Sequence, residues 1–189
     1  MSKITSRWFY RLLLVLALAL VIYILYTPVM KHFFYPFEYR EEVYYYSEKH
    51  QMDPYLVAAI INVESGFDPE AESPKGARGL MQIMPQTAKW SAEMVGANGF
   101  EEHMLFEPAY NLDLGIYYFS HLQEKYNGNL TLALAAYNGG QGRVNRWLEE
   151  GTWDGKKENV EDIPYKETRE YIRKVKRAYA RYEQIYSYN

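Results

Sequence analysis

The sequence predicts an all-α domain preceded by one membrane-spanning helix, and three observations carry that expectation. Leu12 to Met30, LLLVLALALVIYILYTPVM, runs nineteen residues without a charge, about the length a helix needs to cross roughly 30 Å of hydrocarbon. Downstream, apolar residues recur at three- and four-residue spacing, as in Val57, Ile60 and Ile61, the period of a helix face. The stretches between them carry helix punctuation, with Asp-Pro at a start and glycine at the stops, and no convincing run of alternating strand residues.

Taken in order, Lys3, Arg7 and Arg11 precede the apolar run, while Trp8, Phe9, Tyr23 and Tyr26 sit near its ends like interfacial anchors. The flanking charges keep residues 1–11 in the cytoplasm and send the rest across. The flank YILYTPVM is too bulky for a small-x-small cleavage site, which favours an uncleaved signal anchor at 12–30 over a removed signal peptide. Residues 31–189 then form a domain on the extracytoplasmic side. HFFYPFEYREEVYYY leads off the anchor into a first helix. Asp53-Pro54 opens a helix that runs to about Ser65 and stops at Gly66. Ser73 to Pro85, with two glycines and two prolines, reads as an irregular loop. Helices follow at about Gln86–Val95, Pro108–Tyr126, the very apolar LTLALAAYN ended by Gly139-Gly140, and Arg143–Glu150. The last and longest runs from Lys166 to about Tyr186 after Ile163-Pro164. No internal repeat appears, nor a low-complexity linker that would divide the exported part.

Composition limits the chemistry. The chain of 189 residues has 48% apolar and 17% aromatic residues, with 20 tyrosines, enough for a real core and half-buried grooves. It has no cysteine and four scattered histidines, His32, His50, His103 and His121, which excludes disulfide frameworks and zinc-type clusters. Residues 1–31 hold four basic groups and no acid, leaving the remainder 17 basic against 24 acidic, a formal −7. A domain that acidic is a poor nucleic-acid binder. The one basic run, Arg169 to Arg181, is interleaved with Tyr171, Val175 and Tyr179 and reads as the solvated face of the last helix.

Glu64 stands out against this pattern. It occupies the i+7 position from Val57, on the face where Val57, Ile60 and Ile61 pack. Desolvation there raises a carboxyl's pKa, and an acid protonated near neutral pH can give its proton to a leaving oxygen. A structural carboxyl hydrogen-bonded to loop backbone is the competing reading of that face taken alone. Asp68, the nearest other acid in sequence, lies in the turn SGFDPEA and reads as a local cap.

The company of Glu64 carries a resemblance. ESGFDPEAESPKGARGLMQIMPQTA resembles the catalytic signature of the lytic transglycosylases related to the soluble lytic transglycosylase, and more distantly of goose-type lysozyme. AAYNGGQGRVNRWL and IPYKETREYIRKV are similar to that family's later motifs, in the same order, so the likeness spans about residues 40 to 186. It implies a lysozyme-like helical domain in which Glu64 is the single catalytic acid/base. It further implies substrate contacts from Ser73, Gln82, Met84, Tyr137, Asn138 and Glu167. Each also has a plain structural reading: Ser73 a turn residue, Met84 core, Tyr137 a paired core tyrosine, Asn138 a helix stop, Glu167 a first-turn carboxylate. Gly76, Gly79, Gly139 and Gly140 read as architectural.

The reaction that the resemblance implies cleaves peptidoglycan between N-acetylmuramic acid and N-acetylglucosamine. Glu64 protonates the linking oxygen, the acetamido group supports the developing cation, and the muramic acid's own 6-hydroxyl closes on C1 to leave a 1,6-anhydro end. No metal or cofactor is implied. Two alternatives stay open: a muramidase that uses water, and a non-catalytic wall-binding scaffold. The expected setting is the cell membrane, with peptidoglycan strands as substrate, the membrane as partner through the N-terminal helix, and no nucleic acid.

Overall fold

Asp53 illustrates how local chemistry sets the helix ends. Its side chain accepts from the backbone N–H groups of Tyr55 at 2.8 Å and Leu56 at 3.3 Å, satisfying two donors that a helix start leaves unpaired. Pro54 follows in the first turn, and the helix ends at Glu64, ahead of Gly66 with φ of 64°. Asn129 does the same for the apolar helix after it, accepting from Thr131 and Leu132 N–H.

The computed structural model describes residues 2–156 and 158–187, with the side chains at 2–7, 9 and 27 outside that description. The side chains of Lys3 and Arg7, expected to orient the N-terminal helix, and of Phe9, expected as an interfacial anchor, therefore lie outside that description. The chain divides into two compact units, 1–36 and 37–189.

The first unit is α1, Ser2–Val29, continued by a π-helical turn, Met30–Phe34. Apolar side chains from Leu12 to Leu25 are exposed along it, Leu14 at 72%. Among the described residues no helix is long and apolar enough to cross a membrane.

The second unit is all-α among the described residues: α2 Arg40–Lys49, α3 Pro54–Glu64, α4 Pro85–Val95, α5 Pro108–Lys125, α6 Leu130–Gly139, α7 Gln141–Glu149 and α8 Lys166–Tyr186. Two short 3-10 turns, Glu102–Phe106 and Val160–Asp162, join them. α3 is the centre. Leu56, Val57, Ile60 and Ile61 are 5% exposed or less, each side chain contributing about 1.5–3 kcal/mol by leaving water. It packs along α8 and against α2, while α5 lies against α2, α4 and α6. Tyr179 of α8 donates to Asp53 Oδ2 at 2.7 Å, tying the long last helix to the start of α3. α7 begins two residues earlier than its sequence suggests, because Gly140 at φ of 87° turns the corner at once.

The loop between α3 and α4 is irregular, as expected, but internally paired. Isolated bridges pair Glu72 with Arg78 and Arg78 with Ile83. Asn111 of α5, fully buried, locks it: Oδ1 accepts from Met81 N–H at 2.8 Å, and Nδ2 donates to the carbonyls of Arg78 and Leu105. Gly79 lies so close to this lock that a Cβ there would stand 2.1 Å from Leu105 O. The segment 151–162 is also held down. Trp153 is buried, its backbone N–H donates to Trp147 O at 3.3 Å, and Asn129 Nδ2 donates to Gly155 O.

Candidate active site

Glu64 closes the last turn of α3, so the buried face of that helix delivers its carboxyl to the point where α3, α6 and α8 meet. A cavity of about 440 Å³ opens there, lined by Val63, Glu64, Asn138, Lys166, Glu167, Glu170, Tyr171 and Lys174. Burial is the largest influence on the Glu64 carboxyl and pushes it from its ordinary 4.5 up to about 7. The Tyr171 hydroxyl opposes part of that rise, and the negative charge of Glu167 adds to it. Glu64 is thus an acid poised to be protonated near neutral pH and, having given up its proton, to act as a base.

Three of the residues expected at the site come together here. Asn138 and Glu167 line the cavity with Glu64, and Thr168 fixes the first of them by donating to Asn138 Oδ1 at 3.0 Å. Tyr137 is close enough that Glu64 helps raise its phenol well above the usual range, after burial. Its hydroxyl donates to Met81 O at 2.7 Å and its ring packs on Tyr118 and Phe119.

The other three sit on the α3–α4 loop and do not line this cavity. Ser73 pairs within the loop, its N–H donating to Ala77 O at 2.9 Å and its hydroxyl accepting from Ala77 N–H at 3.0 Å. Gln82, at φ of 47°, spends Nε2 on the carbonyls of Ala71 and Gly79. Met84 is the residue ahead of α4, 42% exposed. The loop is fastened next to the acid, since Ser65 beside Glu64 donates to Leu80 O at 2.8 Å. Asp68 caps its own turn by accepting from Glu70 N–H.

Tyr171, Glu170 and Lys174 were not singled out by the sequence as site residues. Glu167, Glu170, Tyr171 and Lys174 recur at three- and four-residue spacing, so one face of α8 carries all four to the cavity. That spacing was legible; what it faced was not. Tyr171 is 6% exposed, and its hydroxyl has no hydrogen bond of ordinary geometry among the described residues. It lies close enough to Glu64 that each shifts the other, Glu64 helping burial to hold the phenol well above the usual range. Among the described residues no group of three or more His, Cys, Asp or Glu side chains is arranged to hold a metal ion.

Comparison with known proteins places the chain in a family. Residues 42–160 match the family model described as the transglycosylase SLT domain. The chain belongs to the transglycosylase SLT domain family. Over 145 residues it is 35% identical to the soluble lytic murein transglycosylase of Escherichia coli, covering 75% of this chain and 22% of that one. It is 38% identical over 109 residues to the membrane-bound lytic murein transglycosylase C of Yersinia enterocolitica, covering 53% of this chain and 30% of the relative. The crystal structure of the lytic transglycosylase Slt of Pseudomonas aeruginosa superposes with a TM-score of 0.72 at 35% identity, covering 79% of this chain and 24% of that one. That structure is of an inactive mutant with glutamine in place of a glutamate. The SLT-family fold of residues 37–189 is therefore the all-helical, lysozyme-like one, and the chain spans about a fifth of the length of its soluble relatives.

Proposed function

We propose that this SLT-family chain is a peptidoglycan lytic transglycosylase with Glu64 as its single acid/base. The observation that carries the reading is a carboxyl at about pKa 7 in a cavity shared with Asn138, Glu167 and Tyr171. Protonated Glu64 gives its proton to the oxygen joining N-acetylmuramic acid to N-acetylglucosamine. The acetamido group stabilises the developing positive charge at C1. The carboxylate left on Glu64 then takes the proton of the 6-hydroxyl as that oxygen closes on C1, and a 1,6-anhydro end forms. Asn138 and Glu167 orient the sugar, with Tyr137 behind them. Ser73, Gln82 and Met84 extend the contact surface along the loop fastened to Glu64. The inactive glutamate-to-glutamine relative supports a single essential carboxyl.

In the same reading, 12–30 is an uncleaved membrane anchor, and the catalytic domain of 31–189 works outside the membrane. The exposed apolar side chains of α1 support this, as does a relative named membrane-bound. Tethering raises the local concentration of a negatively charged domain beside its polymer.

One observation favours a water-using muramidase as the second reading: Glu167 shares the cavity with Glu64, and paired carboxyls serve hydrolysis. Mass spectrometry of the products from purified peptidoglycan separates the two. Anhydro-muramic ends that vanish in Glu64→Gln are expected. Reducing ends carrying the mass of an added water would replace the proposal with hydrolysis. Intact strands, with wall binding retained, would leave a binding scaffold.

A further inference from the structure

The charges of residues 32–189 are unevenly placed. α8 carries seven basic residues against three acids, which leaves ten basic against 21 acidic for everything else in that range. Four of the seven are occupied. Lys166 pairs with Glu170 at 3.6 Å, Arg169 donates to the Ile163 carbonyl, Lys176 donates to Thr131 Oγ1, and Lys174 lines the Glu64 cavity. The other three, Arg173, Arg177 and Arg181, are exposed at four-residue spacing and form one stripe, about 12 Å from first to last. Tyr171, Val175, Ala178 and Tyr182 are buried, so the stripe lies on the face turned away from the core. Two acids touch it: Glu161 pairs with Arg173, and Glu183 is exposed in the last turn. Arg181 donates to Gln184 Oε1 at 2.9 Å.

The stripe ends where the second unit begins. Phe37 is the first residue of that unit, and its ring packs on Tyr182 and Tyr186 of α8 at 5.8 and 5.2 Å. The exposed Arg40 guanidinium lies over Phe37 and Tyr186 at 5.5 and 5.7 Å. Phe37 also packs on Phe67 at 6.5 Å, and toward that neighbour the charge reverses. Burial, and then the charges of Glu38, Glu42, Asp68 and Glu70, raise the Tyr39 phenol above its usual range. The point of attachment therefore has arginines toward α8 and a knot of carboxyls around Tyr39. Residues 31–36 join Phe37 to the apolar run, and six residues reach at most about 21 Å. If that run is anchored, Phe37 stays that close to the headgroups however the domain turns. An anionic surface favours each nearby arginine about fivefold, and screening confines the effect to about 8 Å. The face presented thus counts for more than the formal −7 of the whole domain.

We propose that the Arg173–Arg177–Arg181 stripe, with Arg40 near its end, docks on the anionic lipid headgroups of the membrane that holds the anchor, and so fixes which way the Glu64 cavity faces. The proposal rests on the anchor reading. The same surface repels the carboxyls around Tyr39, so one tilt of the domain is favoured over the others. Glu167 lies fourteen residues along α8 from Arg181, about 21 Å. Docking therefore holds the cavity beside the membrane, toward the glycan strands nearest to it.

The chain has no cysteine, so a nitroxide on Ala180→Cys, exposed beside the stripe, reports from one place. The full chain is reconstituted in vesicles of phosphatidylcholine, alone or mixed with phosphatidylglycerol, each with a trace of a lipid carrying a paramagnetic headgroup. The docked-to-undocked ratio, read from nitroxide relaxation, should be about tenfold higher on the anionic vesicles and should fall as salt is raised. Arg177→Gln/Arg181→Gln should remove that gain, and Arg177→Lys/Arg181→Lys should keep it, since a headgroup surface needs charge rather than a planar fork. Equal relaxation on both vesicles, or a gain that survives the glutamine changes, overturns the proposal. Binding to a purified anionic wall polymer that needs both arginines, with no response to anionic vesicles, overturns it in favour of that polymer. Flotation with neutral vesicles tests the anchor separately. If the chain does not float with them, the anchor reading falls, and flotation with anionic vesicles still decides the stripe: dependence on both arginines supports it, and independence or no flotation overturns it.

Discussion

The Tyr137 hydroxyl donates a 2.7 Å hydrogen bond to the carbonyl of Met81, joining the helix that carries Tyr137 and Asn138 to the loop that carries Gln82 and Met84. Burial keeps the phenol protonated, since its pKa is pushed well above the usual range, so the bond persists at any working pH. Tyr137→Phe leaves the Met81 carbonyl without that donor. Stability should drop by about 1 kcal/mol, seen as a lower urea midpoint with an unchanged slope, and turnover should fall with it.

On the proposed reading, Glu64→Gln removes the proton donor while keeping the shape of the side chain. Turnover on peptidoglycan should fall by about 10²–10⁴-fold, with strand binding retained. In wild type the acid must be protonated for the first step, so log kcat/KM should decline above about pH 7, where Glu64 titrates. A flat profile between about pH 6 and about pH 9 would assign the proton to another group.

The same shift has a sign in stability. The folded pKa of Glu64, about 7, lies above its ordinary 4.5, so its contribution is fully present below about pH 4.5 and is lost as pH rises through about 7. The loss amounts to about 3 kcal/mol at most. Glu64→Gln does not titrate, so relative to wild type it should gain stability between about pH 5 and about pH 8. Urea unfolding at both ends of that range measures it.

Tyr171→Phe deletes a buried hydroxyl that lacks a well-formed hydrogen bond among the described residues. Truncating such a group costs little and can stabilise, so the melting temperature should hold or rise. Because that hydroxyl opposes the upward shift of Glu64, the alkaline limb of the activity profile should move to higher pH. A fall in the limb would mean that the hydroxyl favours the neutral acid.

Asn111 makes three hydrogen bonds from a fully buried position. Asn111→Ala strands the Met81 N–H and the Arg78 and Leu105 carbonyls and should cost about 3 kcal/mol. Gly79→Ala drives a methyl to 2.1 Å from Leu105 O at φ of 71° and should be at least as damaging, through the same loop. Both are read from urea midpoints, and both should lower activity, since the loop is fastened to Ser65 beside the acid.

How much of this was legible beforehand follows from the range of each interaction. Asp53-Pro54, Gly66 and Gly139-Gly140 mark helix ends through backbone hydrogen bonds that reach a few residues, and the structure puts ends at or beside each of them, whereas the Asn129 cap was found only in the structure. The two 3-10 turns and the bridges at Arg78 carry no such local signal, and the loop around Arg78 owes its order to Asn111, thirty residues away. Glu64 was visible as the odd residue on an apolar face. Asp68 looked nearest to it only along the chain; in space the neighbouring carboxyl is that of Glu167.

By itself, then, the sequence determined the all-α class, most of the helix ends, the apolar N-terminal run and the acid on a buried face, because periodicity and caps act within about one helical turn. Only the tertiary structure decided that Glu64, Asn138, Glu167 and Tyr171 share a cavity and that burial there pushes Glu64 up to about 7. Desolvation and charge coupling depend on which segments cover a carboxyl, and α8, which covers Glu64, lies a hundred residues further along the chain.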